Sequence, residues 1–143
     1  MMNKKNTVLI VDDDPATVEL LKKMNERLGV ADILIANNGF EAIAVAGEKQ
    51  PGVIFLDVAM PFLDLTTPKL DGIQTLKMLK SLETTKEIDV IMLSEKTDND
   101  NLAMALKYGA TSYISKPFQL EILNEKLSRL HSNILSDVLE EVF

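Results

Sequence analysis

Four apolar runs, each ending on a polar residue, constrain the fold of this chain more than any other feature. The runs cover 8–11, 53–56, 90–93 and 113–115, and the polar positions that end them are Asp12 with Asp13, Asp57, Ser94 and Lys116. Short apolar runs of this kind are typical of buried strands. If they are parallel strands of one sheet, their carboxyl ends share one edge, where three acids, a hydroxyl and an ammonium would meet.

Helical patterns separate these strands. Asp14-Pro15 predicts a cap with proline at the first helical position, and Gly29 predicts the end of that helix. A further strand is predicted at 33–35. The remaining helices are predicted to follow Asn38-Gly39, Asp71-Gly72 and Asp98, the last of these ending at Gly109, and to cover 119–130.

Five strands, each followed by a helix and joined by short connections, imply a parallel sheet covered on both faces by right-handed crossovers. A closed barrel of strand and helix units needs about 250 residues, whereas this chain has 143. We therefore predict an α/β fold with an open, doubly wound five-stranded sheet over 6–131, followed by a C-terminal helical extension over 132–143.

The composition narrows the class of protein. Hydrophobic residues make up 46% of the chain, which is enough for one domain with a sizeable core. There is no cysteine, and no apolar stretch approaches the roughly 20 residues that span a bilayer. The net charge of −7 disfavours nucleic acid as a partner. We expect a cytoplasmic protein that does not insert into a membrane.

Several short motifs, taken together and in order, resemble one family. They are Val11-Asp12-Asp13-Asp14-Pro15, Asp57-Val58-Ala59-Met60-Pro61, Asp71-Gly72, Leu93-Ser94, Gly109-Ala110 and Lys116-Pro117-Phe118. Over about Thr7 to Leu130, the chain resembles the receiver domain of two-component response regulators, of the stand-alone chemotaxis type. The resemblance implies a flavodoxin-like sheet with strand order 2-1-3-4-5.

The same resemblance implies that Asp57 accepts a phosphoryl group from a sensor histidine kinase or a histidine phosphotransfer protein. A carboxylate is ionised at neutral pH and attacks phosphorus without a general base. The expected cofactor is Mg²⁺, which would offset the repulsion among the acids. By the family pattern Asp13 and Asp57 bind it directly, Asp12 binds through water, and Ala59 offers its backbone carbonyl.

The resemblance also implies roles for three further residues. Lys116 would contact the acids and then the phosphoryl group, and the peptide between it and Pro117 is usually cis in the family. Ser94 would donate its hydroxyl to the phosphoryl group. Movement of Ser94 would let Tyr113 turn inward. This would change the surface formed by the fourth helix, the fifth strand and the fifth helix, and that surface would contact an unknown downstream protein.

The chain departs from the family pattern near the acceptor. The segment 62–70 stands where the family has about two residues, and it carries both apolar side chains and Asp64. Glu95 stands where the family has a small residue, and we expect it to slow phosphorylation or restrict donors. Ala59 and Lys96 hold the positions that tune dephosphorylation in the family. His131 is interpreted as a helix-surface residue and not as a phosphoryl carrier.

Each residue also has a plainer interpretation. The three acids 12–14 could serve only as a helix cap, Asp57 and Ser94 could be turn residues, and Lys116 could be a solvated lysine. Tyr113 could be a half-buried strand residue that does not move. At the level of function, a scaffold that is never phosphorylated stays an alternative, as does a phosphohydrolase with an aspartate nucleophile. The motif order favours a signalling switch that is not an enzyme.

The C-terminal segment 132–143 carries apolar residues at helical spacing. They are Ile134, Leu135, Val138, Leu139 and Val142. With the fifth helix they could form a homodimer interface, or they could pack against their own domain. The sequence leaves both arrangements open.

Overall fold

The structure is a computed structural model that describes residues 6–58, 71–95 and 99–130. Within these ranges strands and helices alternate along the chain. The elements are β1 (Thr7–Val11), α1 (Pro15–Arg27), β2 (Asp32–Ala36), α2 (Gly39–Lys49), β3 (Val53–Asp57), α3 (Gly72–Ser81), β4 (Asp89–Ser94), α4 (Asn99–Lys107), β5 (Ser112–Ser115) and α5 (120–130).

The five strands form one parallel sheet in the order β2-β1-β3-β4-β5. This order confirms the predicted doubly wound, flavodoxin-like fold. The order in which strands are added to the sheet reverses between β1 and β3. The second strand, β2, lies on one side of β1, and all later strands lie on the other side. Ligands of open α/β sheets bind at the carboxyl ends of the strands beside such a reversal.

Alternate residues of the central strands face opposite sides of the sheet and build two separate apolar layers. Leu9, Ile54 and Val90 belong to the layer that packs against α2, α3 and α4. Ile10, Phe55 and Ile91 belong to the layer that packs against α1 and α5. Every residue of β1 and β3 is buried, as expected for strands covered on both faces.

The helix ends follow the predicted capping signals. The carboxylate of Asp14 accepts from the backbone N–H of Ala16, and the side chains of Asn38 and Asp71 accept from N–H groups at the starts of α2 and α3. Gly29 and Gly109 have φ values of 87° and 106°, which glycine adopts more readily than any other residue. The predicted cap Asp98 lies outside the described residues.

Other predictions also fall outside the described residues. These concern the backbone carbonyl of Ala59, the segment 62–70, Lys96, His131 and the extension 132–143. The domain boundaries at 131 and 132 therefore stay predictions.

Candidate functional site: an acidic cluster at the carboxyl edge of the sheet

The carboxyl edge of the sheet brings together residues from four strands. Asp12 directly follows β1, Asp57 ends β3, Ser94 ends β4 and Lys116 directly follows β5. The strand register places them at one level, because Val11 lies opposite Leu56, Asp57 opposite Leu93 and Ser94 opposite Ser115. The backbone N–H of Lys116 donates to the carbonyl of Ser94 over 2.8 Å and continues this alignment past the strand ends. The peptide bond from Lys116 to Pro117 is cis.

Asp12, Asp13 and Asp57 form a compact acidic cluster. One carboxylate oxygen from each lies within 4.8 Å of the other two. Asp12 and Asp57 are buried, and Asp13 is partly buried at the opening. Carboxylates held this close repel one another, so the cluster needs positive charge to be stable in its ionised form.

Lys116 supplies part of that positive charge. Its Nζ lies 3.7 Å from Oδ2 of Asp12 and 3.9 Å from Oδ2 of Asp57, with 22% of the lysine side chain exposed. The same Nζ lies 3.9 Å from Oε1 of Glu95, whose side chain is 60% exposed. Because all three distances exceed that of a hydrogen bond, the ammonium attracts the acids by charge without being fixed to any of them.

Among the described residues, two buried polar atoms at this edge of the sheet have no hydrogen-bond partner. They are Oδ2 of Asp12 and Oγ of Ser94, each in a residue that is 1% exposed. A buried polar atom without a partner costs free energy, and such atoms often mark the place where a ligand group binds. Here the orphaned carboxylate oxygen belongs to the acidic cluster, as expected for a site that holds an oxygen-binding cation.

Burial raises the pKa of Asp12 above its ordinary value, and the neighbouring acids Asp13 and Asp14 raise it further. The backbone N–H of Asp14, which donates to Oδ1 of Asp12 over 2.9 Å, and the charge of Lys116 partly oppose this shift. The raised pKa means that the ionised carboxylate is held at a cost to folding. A cation beside it would remove that cost.

Asp14 differs from its two acidic neighbours. Its Oδ2 accepts from the hydroxyl of Thr17 over 2.7 Å, which is the main reason that its pKa is lowered. It caps α1 and does not belong to the acidic cluster. The plainer interpretation of the acidic trio as a helix cap therefore holds for Asp14 alone.

Gly72 is a structural residue of the site whose role the sequence analysis did not identify. A Cβ atom here would overlap the carbonyl oxygen of Asp57 and lie 2.7 Å from that of Val58. The N-terminus of α3 therefore packs directly on the end of the strand that carries Asp57. The motif Asp71-Gly72 signalled a helix start, but the sequence alone does not reveal which backbone that glycine touches.

Tyr113 lies on the exterior of β5. Its side chain is 40% exposed, and Nζ of Lys126 lies 5.6 Å from the centre of its ring. In this structure the Tyr113 side chain is therefore partly exposed beside α5.

The response regulator receiver domain family model matches residues 8–128. The probable C4-dicarboxylate response regulator DctR of Bacillus subtilis is 35% identical over 130 residues, which cover 90% of this chain and 54% of that protein. The chain thus spans about half the length of the first curated relatives that it matches. Chemotaxis protein CheY1 of Helicobacter pylori is 33% identical over 120 residues, covering 84% of this chain and 92% of that protein.

Solved structures give the same result. The chemotaxis protein CheY4 of Vibrio cholerae superposes with a TM-score of 0.75 at 27% identity, covering 88% of this chain and 98% of that one. The receiver domain of a histidine kinase from Syntrophus aciditrophicus also has a TM-score of 0.75, at 30% identity and with 90% and 91% coverage. None of the described helices is long and apolar enough to cross a membrane. The chain belongs to the response regulator receiver domain family of two-component signalling.

Proposed function

We propose that this receiver domain is a signalling switch that accepts a phosphoryl group on Asp57 from a phosphohistidine. The donor would be a sensor histidine kinase or a histidine phosphotransfer protein in the cytoplasm. The observation that carries the proposal is the convergence of the buried Asp57, the ammonium of Lys116 and the unpartnered hydroxyl of Ser94 at one edge of the sheet. Together they offer a nucleophile and two groups that can contact phosphoryl oxygens.

The chemical step is a simple displacement. A carboxylate oxygen of Asp57 attacks the phosphorus, and a P–O bond forms while the P–N bond to the donor imidazole breaks. The electron pair of that bond stays on the imidazole nitrogen. An ionised carboxylate needs no base to remove a proton, which agrees with a site where the described residues include acids and the ammonium of Lys116.

The residues of the cluster fit Mg²⁺. Asp12, Asp13 and Asp57 would hold the ion, in agreement with their close carboxylate oxygens and the orphaned Oδ2 of Asp12. When bound, a divalent cation supplies charge neutralisation at the phosphoryl oxygens. Lys116 would then move its ammonium from the acids to a phosphoryl oxygen, a step favoured by its lack of short contacts to them.

The output of the switch would depend on Ser94 and Tyr113. The unpartnered Oγ of Ser94 can donate to a phosphoryl oxygen on Asp57, which would give this buried hydroxyl the partner that it lacks. Tyr113 would turn inward as Ser94 moves, and the surface of α4, β5 and α5 would change its affinity for a downstream protein. In the present structure that surface exposes Met104, Tyr113 and Ile122.

The proposal is tested by incubating the protein with Mg²⁺ and a small acyl phosphate and measuring the intact mass. We expect one phosphate adduct on the natural protein and none on Asp57→Asn. Absence of an adduct with acyl phosphate and with phosphohistidine donors would favour the scaffold alternative. Steady turnover of phosphate esters would instead favour the phosphohydrolase.

The oligomeric state is a separate part of the proposal. The apolar stripe at 134–142 and the apolar residues of α5 are consistent with pairing of two copies. Sedimentation of the full chain and of a chain ending at position 131 distinguishes this from packing within one copy. A dimer that persists without 132–143 would contradict a role for the extension in pairing.

A further inference from the structure

Glu95 is a third ion-pair partner of Lys116, beside Asp12 and Asp57, at the exposed rim of the site. Its Oε1 lies 3.9 Å from Nζ of Lys116, the same distance that separates this Nζ from Oδ2 of Asp57. The ammonium is therefore shared between the proposed acceptor and a rim carboxylate. Because Glu95 directly follows the buried Ser94 at the end of β4, its backbone is fixed beside the site while its side chain is 60% exposed.

The charge balance of the site depends on this residue. Lys116 and a divalent cation together supply three positive charges, which would balance Asp12, Asp13 and Asp57. Glu95 adds one further negative charge at the rim, which makes the part of the site formed by these described residues more negative before a donor arrives. Like charges within a few ångströms at a partly exposed site disfavour approach, and dissolved salt screens the repulsion.

We propose that Glu95 is a specificity-determining residue that disfavours small dianionic phosphodonors and thereby favours phosphorylation by a protein donor. The inference rests on the proposed function of Asp57. A small acyl phosphate has only a few atoms that can contact the protein, so it gains little binding energy to offset the repulsion. A protein donor gains binding energy from surface contacts away from the reacting atoms, which offsets the same repulsion.

The test measures the rate of phosphorylation by acetyl phosphate in the presence of Mg²⁺, from intact mass, for four forms of the full chain. They are the natural protein, Glu95→Gln, Glu95→Ala and the control Glu48→Gln. Glu48 has a side chain that is 75% exposed near the end of α2, at the opposite edge of the sheet, so its variant makes the same change in net charge away from the site.

We expect Glu95→Gln and Glu95→Ala to raise the second-order rate constant by about 3- to 10-fold at low salt, and Glu48→Gln to leave it unchanged. Added salt should speed the natural protein and narrow its difference from Glu95→Gln, because screening weakens the repulsion. A purely structural role for Glu95 would not produce this dependence on salt.

Each result that departs from these expected rates contradicts a particular part of the proposal. Equal rates for the natural protein and Glu95→Gln would overturn the inference about Glu95 and leave Asp57 as the acceptor. A gain for Glu95→Ala without a gain for Glu95→Gln would overturn it as well, because side-chain size and not charge would then limit the donor. An absence of adduct in every form, with acetyl phosphate and with a phosphohistidine donor, would overturn the proposed function itself and this inference with it.

Discussion

Buried polar groups have different surroundings in two regions of this molecule. In the turn between α3 and β4, the buried hydroxyl of Thr85 donates to the carbonyl of Leu79 over 2.6 Å, and Nζ of the partly buried Lys80, at the end of α3, donates to the carbonyl of Ile88 in the turn over 2.7 Å. At the carboxyl edge of the sheet, Oδ2 of Asp12 and Oγ of Ser94 have no hydrogen-bond partner, and the ammonium of Lys116 lies 3.7 Å from the former. The polar groups of the turn find their partners within the protein, whereas these two atoms at the edge do not.

This difference separates residues that stabilise the fold from residues that would serve the proposed phosphoryl transfer. A satisfied hydrogen bond in the turn contributes to the free energy of unfolding, while an unpartnered group at the edge reduces it. Functional sites commonly retain such costs, and replacing their residues often stabilises a protein while abolishing its activity. Removing a hydrogen-bonded polar group from the turn should therefore lower the free energy of unfolding. Removing an unpartnered polar group from the carboxyl edge should raise it.

The largest effect is expected where the carboxyl edge depends on close backbone packing. Gly72→Ala would push a methyl group into the carbonyl of Asp57, so we expect a loss of about 3 kcal/mol or more in the free energy of unfolding. Chemical denaturation measures this loss. Gly47→Ala is the matched control, because its Cβ would meet only Thr84 Oγ1, at 3.8 Å, and alanine is favoured within a helix. A mild effect at Gly72 would contradict the close packing of α3 on β3.

A smaller loss is expected in the turn. Thr85→Val keeps the shape of the side chain but removes the donor to the buried carbonyl of Leu79. We expect the protein to lose about 1–2 kcal/mol in the free energy of unfolding, with phosphorylation of Asp57 unchanged. Denaturation together with the mass assay checks both parts. A stabilised Thr85→Val would remove the contrast between the two regions.

At the carboxyl edge, Asp12→Asn should stabilise the protein, by on the order of 1 kcal/mol at neutral pH without added Mg²⁺. Burial raises the folded-state pKa of Asp12, so the ionised form destabilises the fold at any pH above that value. As the pH falls through the raised pKa the natural aspartate takes up a proton, the cost disappears, and the advantage of asparagine shrinks.

Thermal denaturation across a pH series measures this trend. Asp14→Asn is a useful comparison, because the pKa of Asp14 is lowered by the hydroxyl of Thr17 and its ionised form supports the fold above the unfolded-state pKa. That support is lost as the pH falls through the folded-state pKa. If Asp12→Asn were less stable than the natural protein at neutral pH, the cost assigned to the acidic cluster would be wrong.

The smallest effect on stability is expected at Ser94. Its buried hydroxyl makes no hydrogen bond that Ser94→Ala could remove, so we expect a small gain in the free energy of unfolding, of no more than about 0.5 kcal/mol. Any response of Tyr113 to phosphorylation should nevertheless be weakened. Tyrosine fluorescence before and after addition of acyl phosphate follows that response, and an unchanged signal difference in Ser94→Ala would remove Ser94 from the proposed switch.

Much of the fold was predictable from the sequence because its signals are local. The apolar runs ending at Val11, Leu56 and Leu93 identify buried strands, and Asp14, Asn38 and Asp71 identify helix starts. The convergence of Asp12, Asp57, Ser94 and Lys116 followed from the rule that parallel strands end at one edge. These parts needed only periodicity, capping and topology.

Other features depend on contacts between residues far apart in the chain and could not be read from the pattern. The contact of Gly72 with the backbone of Asp57 is one example, and the ion pair from Lys116 to Glu95 is another. The outward position of Tyr113 is a third, since alternation along β5 allowed either side. Each required the packing of one element against another to be known.

The central claim is that Asp57 is the nucleophile that receives the phosphoryl group. The most direct measurement is borohydride trapping of the acyl phosphate formed with Mg²⁺ and acetyl phosphate, followed by peptide sequencing in a mass spectrometer. The residue reduced by borohydride should appear at position 57 and nowhere else, and it should be absent when no donor is added. Conversion at Asp12 or Asp13, where an aspartate-nucleophile phosphohydrolase carries its acceptor, would contradict the account.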